Sequence, residues 1–596
     1  MKNSIVHNYG FLLANIWKAA PFKIVAEFGI KIASSLVTAY TNVWFVHYIV
    51  RCMERREGLR DAFLILLVFL AVNLSLAVFT QWYQCCQKCR EDVRVKEYLS
   101  HKLYRQSAMT KLSLFEDPEF YDLYKRAADC IDKTVDLGFA NLTGMAGFLA
   151  MLAATLYQLL DIDPHIWVFG VSGVLAFFVT RSYNKRLYEE EKELSALARK
   201  QEYIRRTMLF KEYAKEIRLT KIYRVLSGYF ENAVREKLRV IRRYGGRLAG
   251  LFFLREITGV DLIYLMVLGY ACWRLIEKND LSAAEFSVMC TAAVMINTRI
   301  RRLMEGIEKA RFYGMRVFDL RRFLSFGQEA PAEGDKNPGA FESLRAEKVF
   351  FSYTDEKTVL KNISFEIQRG EKIAVVGENG SGKSTLVKLL LGLYDVSRGE
   401  LLWNGKNIKA YDPAAYRKNF AVVLQDFKIF GVSAAENILE RRAARGEEGK
   451  VRNILAYVGM DKRVDRLRDG MHTVLEREFD PNGEGLSGGE KQKLAIARMI
   501  ARDAPVVILD EPSSALDPIA EQEVFQSMFR ACKDKTVLFI THRMSIARQA
   551  DRIIVLHRGQ IAEEGKHEEL LKRKGVYSAM FLSQKEQYQG GADETI

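Results

Sequence analysis

The sequence predicts two folds in series: an α-helical six-span transmembrane domain over residues 1–326 and an α/β domain over residues 343–585. Three observations carry this. Uncharged apolar runs recur through the first half and stop before residue 326. A polar stretch, Gly327 to Gly339 (G-Q-E-A-P-A-E-G-D-K-N-P-G), then breaks the pattern with Gly, Pro and acids. Beyond it, short β-rich runs alternate with helical patterns, the character of a mostly parallel sheet. The linker is read as 327–342, and 586–596 as a disordered tail.

Composition narrows the setting. A chain of 596 residues holds about three or four domain-sized units. The net charge is +15, yet 49% of residues are hydrophobic, so the basic excess does not call for nucleic acid, and no nucleic-acid partner is expected. Lys- and Arg-rich cytoplasmic loops of a membrane protein give the same balance. Of 10 prolines, just Pro21, Pro118 and Pro164 precede residue 326, which suits long unbroken helices. The 8 cysteines show no paired framework, so free thiols are expected. Cys85-Cys86-x-x-Cys89 ends an apolar run, and ordinary packing is preferred over metal binding there. No cleavable signal peptide is seen, because the first apolar stretch leads into further spans.

The spans follow in order. Ile32 to Val50, Ala62 to Gln87 and Leu137 to Leu160 are free of Asp, Glu, Lys and Arg. Each approaches or exceeds the roughly 20 residues that a helix rising about 1.5 Å per residue needs to cross about 30 Å of hydrocarbon. Pro164 to Thr180 is shorter. Leu248 to Leu275 is interrupted by Arg255, Glu256 and Asp261. Ala283 to Thr298 is the weakest and ends at Arg299, Arg301 and Arg302. The arginines are read as lying below the membrane on an extended helix; a basic substrate cavity for an anionic lipid or acidic peptide is the alternative.

Charge sets the topology. Arg181 to Arg243 holds 18 Lys and Arg, whereas the proposed outer loops (Arg51 to Asp61, Asp161 to Asp163, Glu277 to Glu285) hold five. That places both termini in the cytoplasm, although Arg51, Arg55, Arg56 and Arg60 work against it. Two connections, Lys88 to Lys133 and Arg181 to Arg243, are too long to be turns. In the first, Asp117-Pro118-Glu119 starts a helix through Arg126: cap, proline at the first helical position, acid. In the second, Phe210 to Thr220 reads as a short amphipathic helix. Both hairpins are expected to dock on the second domain and transmit its movement.

The chemistry lies in the second half. Ile373-Ala374-Val375-Val376 runs into Gly377-Glu378-Asn379-Gly380-Ser381-Gly382-Lys383-Ser384, and a helical pattern follows from Thr385 to Leu391. Strand, glycine-rich turn and helix with the spacing G-x-x-x-x-G-K-S make a phosphate-binding loop. Its backbone N–H groups form a nest for phosphate oxygens, and the helix N-terminus faces the same anion. Lys383 then reaches the β- and γ-phosphates, and the Ser384 hydroxyl holds Mg²⁺. The buried strand Val506 to Leu509 runs into Asp510-Glu511: the first acid is placed to hold Mg²⁺ through water, the second to act as general base. Leu486-Ser487-Gly488-Gly489-Glu490 opens another helix, running to Ala501. One phosphate loop needs no second anion nest, so this one serves ATP held by another copy.

With these motifs the sequence resembles the ATP-binding cassette (ABC) transporters, specifically exporter-type half-transporters with a membrane domain fused before the cassette, an α/β P-loop NTPase. The resemblance covers nearly the whole chain. It implies that Tyr353 stacks on adenine and that Gly377 to Thr385 binds the phosphates. It implies that Gln425 reaches Mg²⁺ and the attacking water and reports to the membrane domain. Ser487, Gly488 and Gly489 fall in the family signature, with Glu490 in place of the commoner Gln. Asp517 falls in the D-loop segment Ser514-Ala515-Leu516-Asp517, and His542 is the switch histidine. The cofactors implied are ATP and Mg²⁺, and the partner is a second half-transporter, identical or not. The setting implied is a multi-pass protein of a bacterial inner membrane, in contact with lipid, with its ATPase cytoplasmic.

One departure stands out. Where exporters often carry Val-Gly-Glu-x-Gly before the signature, this chain has Glu478 to Gly485 (E-F-D-P-N-G-E-G). The function implied is ATP-driven export of a lipid, peptide or amphipathic small molecule by alternating access. The rivals are an importer on the same architecture with a siderophore-like substrate, and a soluble ABC-type ATPase of DNA repair or translation, which the charge-free spans oppose. A peptidase-containing exporter is not expected, since no domain precedes the first span.

Overall fold

The computed structural model describes residues 4–55, 59–162, 170–258, 262–326, 337–353, 358–444, 446–511 and 528–593. They form two compact units, Met1–Ala108 with Pro118–Phe326, and Met109–Asp117 with Gly327–Ile596.

The first unit is helical throughout its described residues. A short helix, Ile5–Ala19, ends where Pro21 starts the next. From there the chain runs through Pro21–Ala39, a π-helical turn at Tyr40–Phe45 and Val46–Arg55 without leaving helix. Longer helices follow, among them Gly170–Leu209, Ile222–Glu256 and Ala283–Leu324. Among the described residues, two stretches are long and apolar enough to cross a membrane, Phe63–Ala108 and Pro118–Leu160. The most apolar window of the first has mean hydropathy 2.6 and none of it is buried, as a lipid-facing helix requires.

The other expected spans fall short for identifiable reasons. Ile32 to Val50 is diluted by Ser34, Ser35, Thr38, Thr41, Asn42 and His47. The runs from Pro164 and Leu248 include residues outside those described, Asp261 among them, and Ala283 to Thr298 contains Glu285. Arg299, Arg301 and Arg302 lie on the unbroken helix Ala283–Leu324, beyond its apolar part. The expectation for Cys85, Cys86 and Cys89 is overturned. All three are exposed; Cys85 and Cys86 lie in the turn Tyr83–Lys88, whose buried residue is Tyr83, and Cys89 starts the next helix.

Charge is also buried in this unit. Lys23, whose side chain is 1% exposed, lies 2.5 Å from Asp92 and 2.9 Å from Asp136, clamping three helices. Lys96 adds a contact to Asp136 at 3.4 Å.

In the second unit, β1 (Ser343–Ser352), β2 (Thr358–Gln368), β4 (Arg398–Trp403) and β5 (Lys406–Asn407) make an antiparallel sheet in the order β2-β1-β4-β5. The main sheet has the order β10-β9-β3-β8-β7-β6, from β3 (Lys372–Gly377), β6 (Phe420–Val423), β7 (Val506–Asp510), β8 (Thr536–Ile540), β9 (Arg552–His557) and β10 (Gln560–Gly565). All its pairings are parallel except that of β10 with β9.

Strands buried on both faces explain the unbroken apolar runs: Ile373 and Val375 join one core, Ala374 and Val376 the other. Trp403 is fully buried, packs on Phe341 and donates its indole N–H to the Pro338 carbonyl at 3.1 Å. The folded unit therefore includes Pro338 and Phe341, inside the stretch that the sequence assigns to the linker. At the other end, the helix Val576–Asp593 continues into the stretch expected to be a disordered tail.

Met109–Asp117, the tip of the first long hairpin, packs as part of the second unit. There Lys111 meets Asp395 at 2.6 Å and Glu116 lies 3.7 Å from Lys388. The helix Leu112–Phe115 forms this tip and Pro118–Asp129 follows it. In the second hairpin, a 3₁₀ turn at Lys211–Tyr213 precedes the helix Ala214–Leu219.

Lys23→Met should leave two partly buried carboxylates facing each other and cost about 2–3 kcal/mol, below the usual range for a fully buried pair because both acids reach solvent. Thermal unfolding in detergent should show a lowered midpoint, with partial recovery when Asp92→Asn and Asp136→Asn are added.

Candidate functional site

The glycine-rich loop begins where β3 meets its neighbours. A side chain at Gly377 would put Cβ 2.3 Å from the Leu556 carbonyl oxygen, so the backbones approach too closely for anything else. Gly382 has φ +104° and a Cβ there would lie 2.5 Å from Leu360. Gly382 caps the helix Lys383–Leu390, which Leu386, Leu389 and Leu390 anchor in the core. Lys383 is 7% exposed and donates to the Gly377 carbonyl at 2.8 Å and the Glu378 carbonyl at 3.0 Å. An ammonium has three donors, so one is left for an anion. Burial pushes the Lys383 ammonium down from its ordinary value, while Glu511 and Asp510 pull it back up. Ser381 is buried, with no hydrogen-bond partner for its hydroxyl.

Sheet register brings the acids alongside. Ile540 of β8 pairs with Val375 of β3 on one side and with Asp510 of β7 on the other. Asp510 is 3% exposed, and burial raises its carboxyl to about 6, helped by Glu511 and opposed by a hydrogen bond from Ser384. Its Oδ1 has no hydrogen-bond partner. Glu511 follows at φ 46°, in the left-handed region, with its N–H on the Ile540 carbonyl at 3.0 Å. The turn aims its carboxylate at two side chains. Gln425 Nε2 donates to Oε2 at 3.0 Å, and His542 Nδ1 lies 3.2 Å from Oε1.

A buried carboxylate with a free oxygen, beside a hydroxyl and near an amide, is an oxygen donor set that fits Mg²⁺. Asp510, Ser384 and Gln425 are the residues that would hold it.

Tyr353 is held edge-on by Phe351 and Tyr394, and its hydroxyl lies 3.2 Å from the Thr385 hydroxyl. Tyr353 is 42% exposed, so part of its surface is open to a flat ligand. Asp517 and its segment lie outside the described residues.

The signature opens the helix Gly488–Arg502. Ser487 is its N-cap and Glu490 completes a capping box: the Ser487 hydroxyl accepts from the Glu490 N–H, and the Glu490 carboxylate accepts from the Ser487 N–H at 2.8 Å. Gly488 and Gly489 lie in the first turn. The divergent stretch before it is a tight turn in which Arg477 Nε donates to the Gly483 carbonyl at 3.1 Å and Phe479 stays exposed.

Three contacts carry no motif. Arg463 donates to Glu490 Oε1 at 2.8 Å. Arg498, on the signature helix, donates to the Lys428 and Asn437 carbonyls at 3.1 and 2.9 Å, tying the segment after Gln425 to that helix. Gln584 donates to the His542 carbonyl and accepts from the Met544 N–H at 3.1 Å, bracketing the histidine. All three join residues far apart in sequence. Only the divergence of Glu490 from its family position could have drawn notice beforehand.

In the helical unit, the Arg255 guanidinium stacks on Tyr183 and Phe252 at 4.9 and 4.8 Å, and Glu256 pairs with both Arg255 and Arg301. Arg299 and Arg302 both lie over the Phe148 ring.

Comparison with known proteins adds kinship. The family described as ABC transporter matches residues 360–514. The chain is 31% identical over 495 residues to the subtilin transport ATP-binding protein of Bacillus subtilis, a match covering 81% of this chain and 79% of that protein. It is 32% identical over 336 residues to the ATP-dependent lipid A-core flippase of Hahella chejuensis (strain KCTC 2396), covering 54% of this chain and 55% of that protein. A solved structure of a bacterial Atm1-family ABC exporter with ATP bound shares the fold with a TM-score of 0.72 at 22% identity, covering 95% of this chain and 99% of that one.

Gln584→Ala removes both hydrogen bonds that bracket His542, each worth about 1 kcal/mol. Steady-state ATPase assays should show kcat down roughly tenfold with KM for ATP little changed, and Gln584→Glu, which keeps the acceptor, should fall between.

Proposed function

The chain belongs to the ABC transporters, and from that premise we propose that it is one half of a dimeric exporter whose two cassettes enclose ATP between them. It hydrolyses ATP and couples this to transport across a membrane. The observation that supports the catalytic reading is the meeting of Gln425, Glu511 and His542 beside Lys383, from four separate segments of the second unit.

The roles follow from the geometry. The loop Gly377 to Thr385, Glu378 and Asn379 included, offers backbone N–H groups to the phosphates, with the free donor of Lys383 aimed the same way. Tyr353 stacks on adenine. Mg²⁺, when bound by Ser384, Asp510 and Gln425, offsets charge on the β- and γ-phosphate oxygens. Glu511, fixed by Gln425 and His542, takes a proton from the attacking water, and His542 with Lys383 stabilises charge on the transferred group. Ser487, Gly488 and Gly489 serve the nucleotide of the other copy, as does Asp517.

Closure of two copies is what makes ATP a driving force: a ligand shifts a conformational equilibrium only by its differential affinity for the two states. ATP touching both halves in the closed state alone has that difference. Alternating access of the helical unit follows, with hydrolysis resetting it. The relatives named above handle subtilin and lipid A-core, so an amphipathic peptide or lipid is the cargo class proposed. A bacterial inner membrane, with the cassettes on its cytoplasmic side, is the setting.

Glu511→Gln should keep ATP binding while turnover falls at least about 100-fold, the scale of a lost general base. Wild-type turnover would remove Glu511 from that role. In inverted vesicles, the unmutated chain should accumulate a fluorescent phospholipid or an amphipathic peptide in an ATP-dependent way; loss of preloaded cargo instead would mark an importer.

A further inference from the structure

The signature ends in an acid where it should meet an anion. Glu490 sits at the third position of the helix Gly488–Arg502, in the turn whose N–H groups and dipole would attract a phosphate. One oxygen of its carboxylate is held by the Ser487 N–H at 2.8 Å, so the charge cannot swing away. The other oxygen accepts from Arg463 Nε at 2.8 Å, and the Arg463 guanidinium also lies 3.9 Å from Glu484. The Arg463 and Glu490 side chains are 34% and 26% exposed, which shields the pair from full solvent screening. The hydrogen bonds from Ser487 and Arg463 outweigh burial and keep the Glu490 carboxyl below its ordinary range, so it is an anion at neutral pH.

We propose that Arg463 is a positioning residue for nucleotide: by neutralising Glu490, it lets a signature that ends in an acid accept the γ-phosphate of an ATP held by the other copy. This rests on the sandwich reading given above. Without Arg463, Glu490 and Glu484 confront the incoming triphosphate uncompensated, and like charges at such short range repel strongly. With it, the Glu490 charge is offset where the Ser487 hydroxyl and the first-turn N–H groups face the phosphate. The pair also explains how Glu can stand in the signature's last position: its carbonyl-like oxygen keeps the capping box, and an arginine 27 residues away cancels the added charge.

The test is steady-state ATPase of the full-length chain against MgATP concentration. Arg463→Gln should raise KM for ATP about tenfold, with a smaller change in kcat, and the increase should shrink at high salt as the repulsion is screened. Arg463→Lys, which keeps the charge, should return most of the lost affinity. The double variant Arg463→Gln/Glu490→Gln should recover most of the affinity lost in Arg463→Gln, because Glu484 is then the one carboxylate of the pair left uncompensated. A double variant no better than Arg463→Gln, or an unchanged KM in Arg463→Gln, would overturn the inference. ATP-dependent crosslinking of paired cassettes in Glu511→Gln separates the two levels. No pairing at all defeats the sandwich; pairing at the same ATP concentration with and without Arg463→Gln defeats this inference alone.

Discussion

Everything at the nucleotide site depends on one parallel register. β8 lies between β3 and β7, and its residue Ile540 is paired with Val375 on one side and Asp510 on the other. The three strands therefore end together, and the segments leaving them carry Lys383, Glu511 and His542. A slip of one residue would shift a strand by about 3.3 Å and turn its side chains to the opposite face. The two apolar cores forbid that slip: Val507 and Leu509 are committed to one side of the sheet, Val506 and Ile508 to the other. Packing that has nothing to do with nucleotide thus fixes the catalytic geometry.

Within that frame, two adjacent acids have been given opposite surroundings. Asp510 is the last residue of a buried strand, and burial makes its ionised form costly. Glu511 leaves the strand through a left-handed backbone, a conformation that costs of order 1–2 kcal/mol for a residue with a side chain. The turn aims its carboxylate at Gln425 and His542. The strained turn separates their duties: one acid suited to a cation, the other to a proton.

The sequence revealed the parts whose chemistry is local. Strand, glycine turn and helix are contiguous, so the phosphate loop could be read directly, as could the acid pair at the end of Val506 to Leu509 and the glycine turn that opens a helix at Leu486 to Glu490. What it could not reveal are contacts made by the fold. Gln584 reaches His542 from the last helix, and Arg498 ties the Gln425 segment to the signature helix through backbone carbonyls that leave no trace in residue type. Cys85, Cys86 and Cys89 were misread because an apolar run suggests burial, whereas a lipid-facing helix is apolar and exposed at once. Phe341 follows glycine- and proline-rich sequence, which carries no sign that Trp403 packs on it.

The tip Met109–Asp117 bears on how motion would pass along the chain. In sequence it lies between two helices of the first unit, yet it folds with the second. Its ion pairs, Lys111 with Asp395 and Glu116 with Lys388, are about half exposed, and such pairs contribute about 0–1 kcal/mol each. They choose a seat for the tip but are too weak to drag helices by themselves. The polypeptide supplies the rest, since Ala108 ends one long helix and Pro118 begins the next, with only this tip between them. A displacement of the second unit would therefore reach the ends of two helices through covalent bonds. Docking this weak would let the tip re-seat without breaking that link.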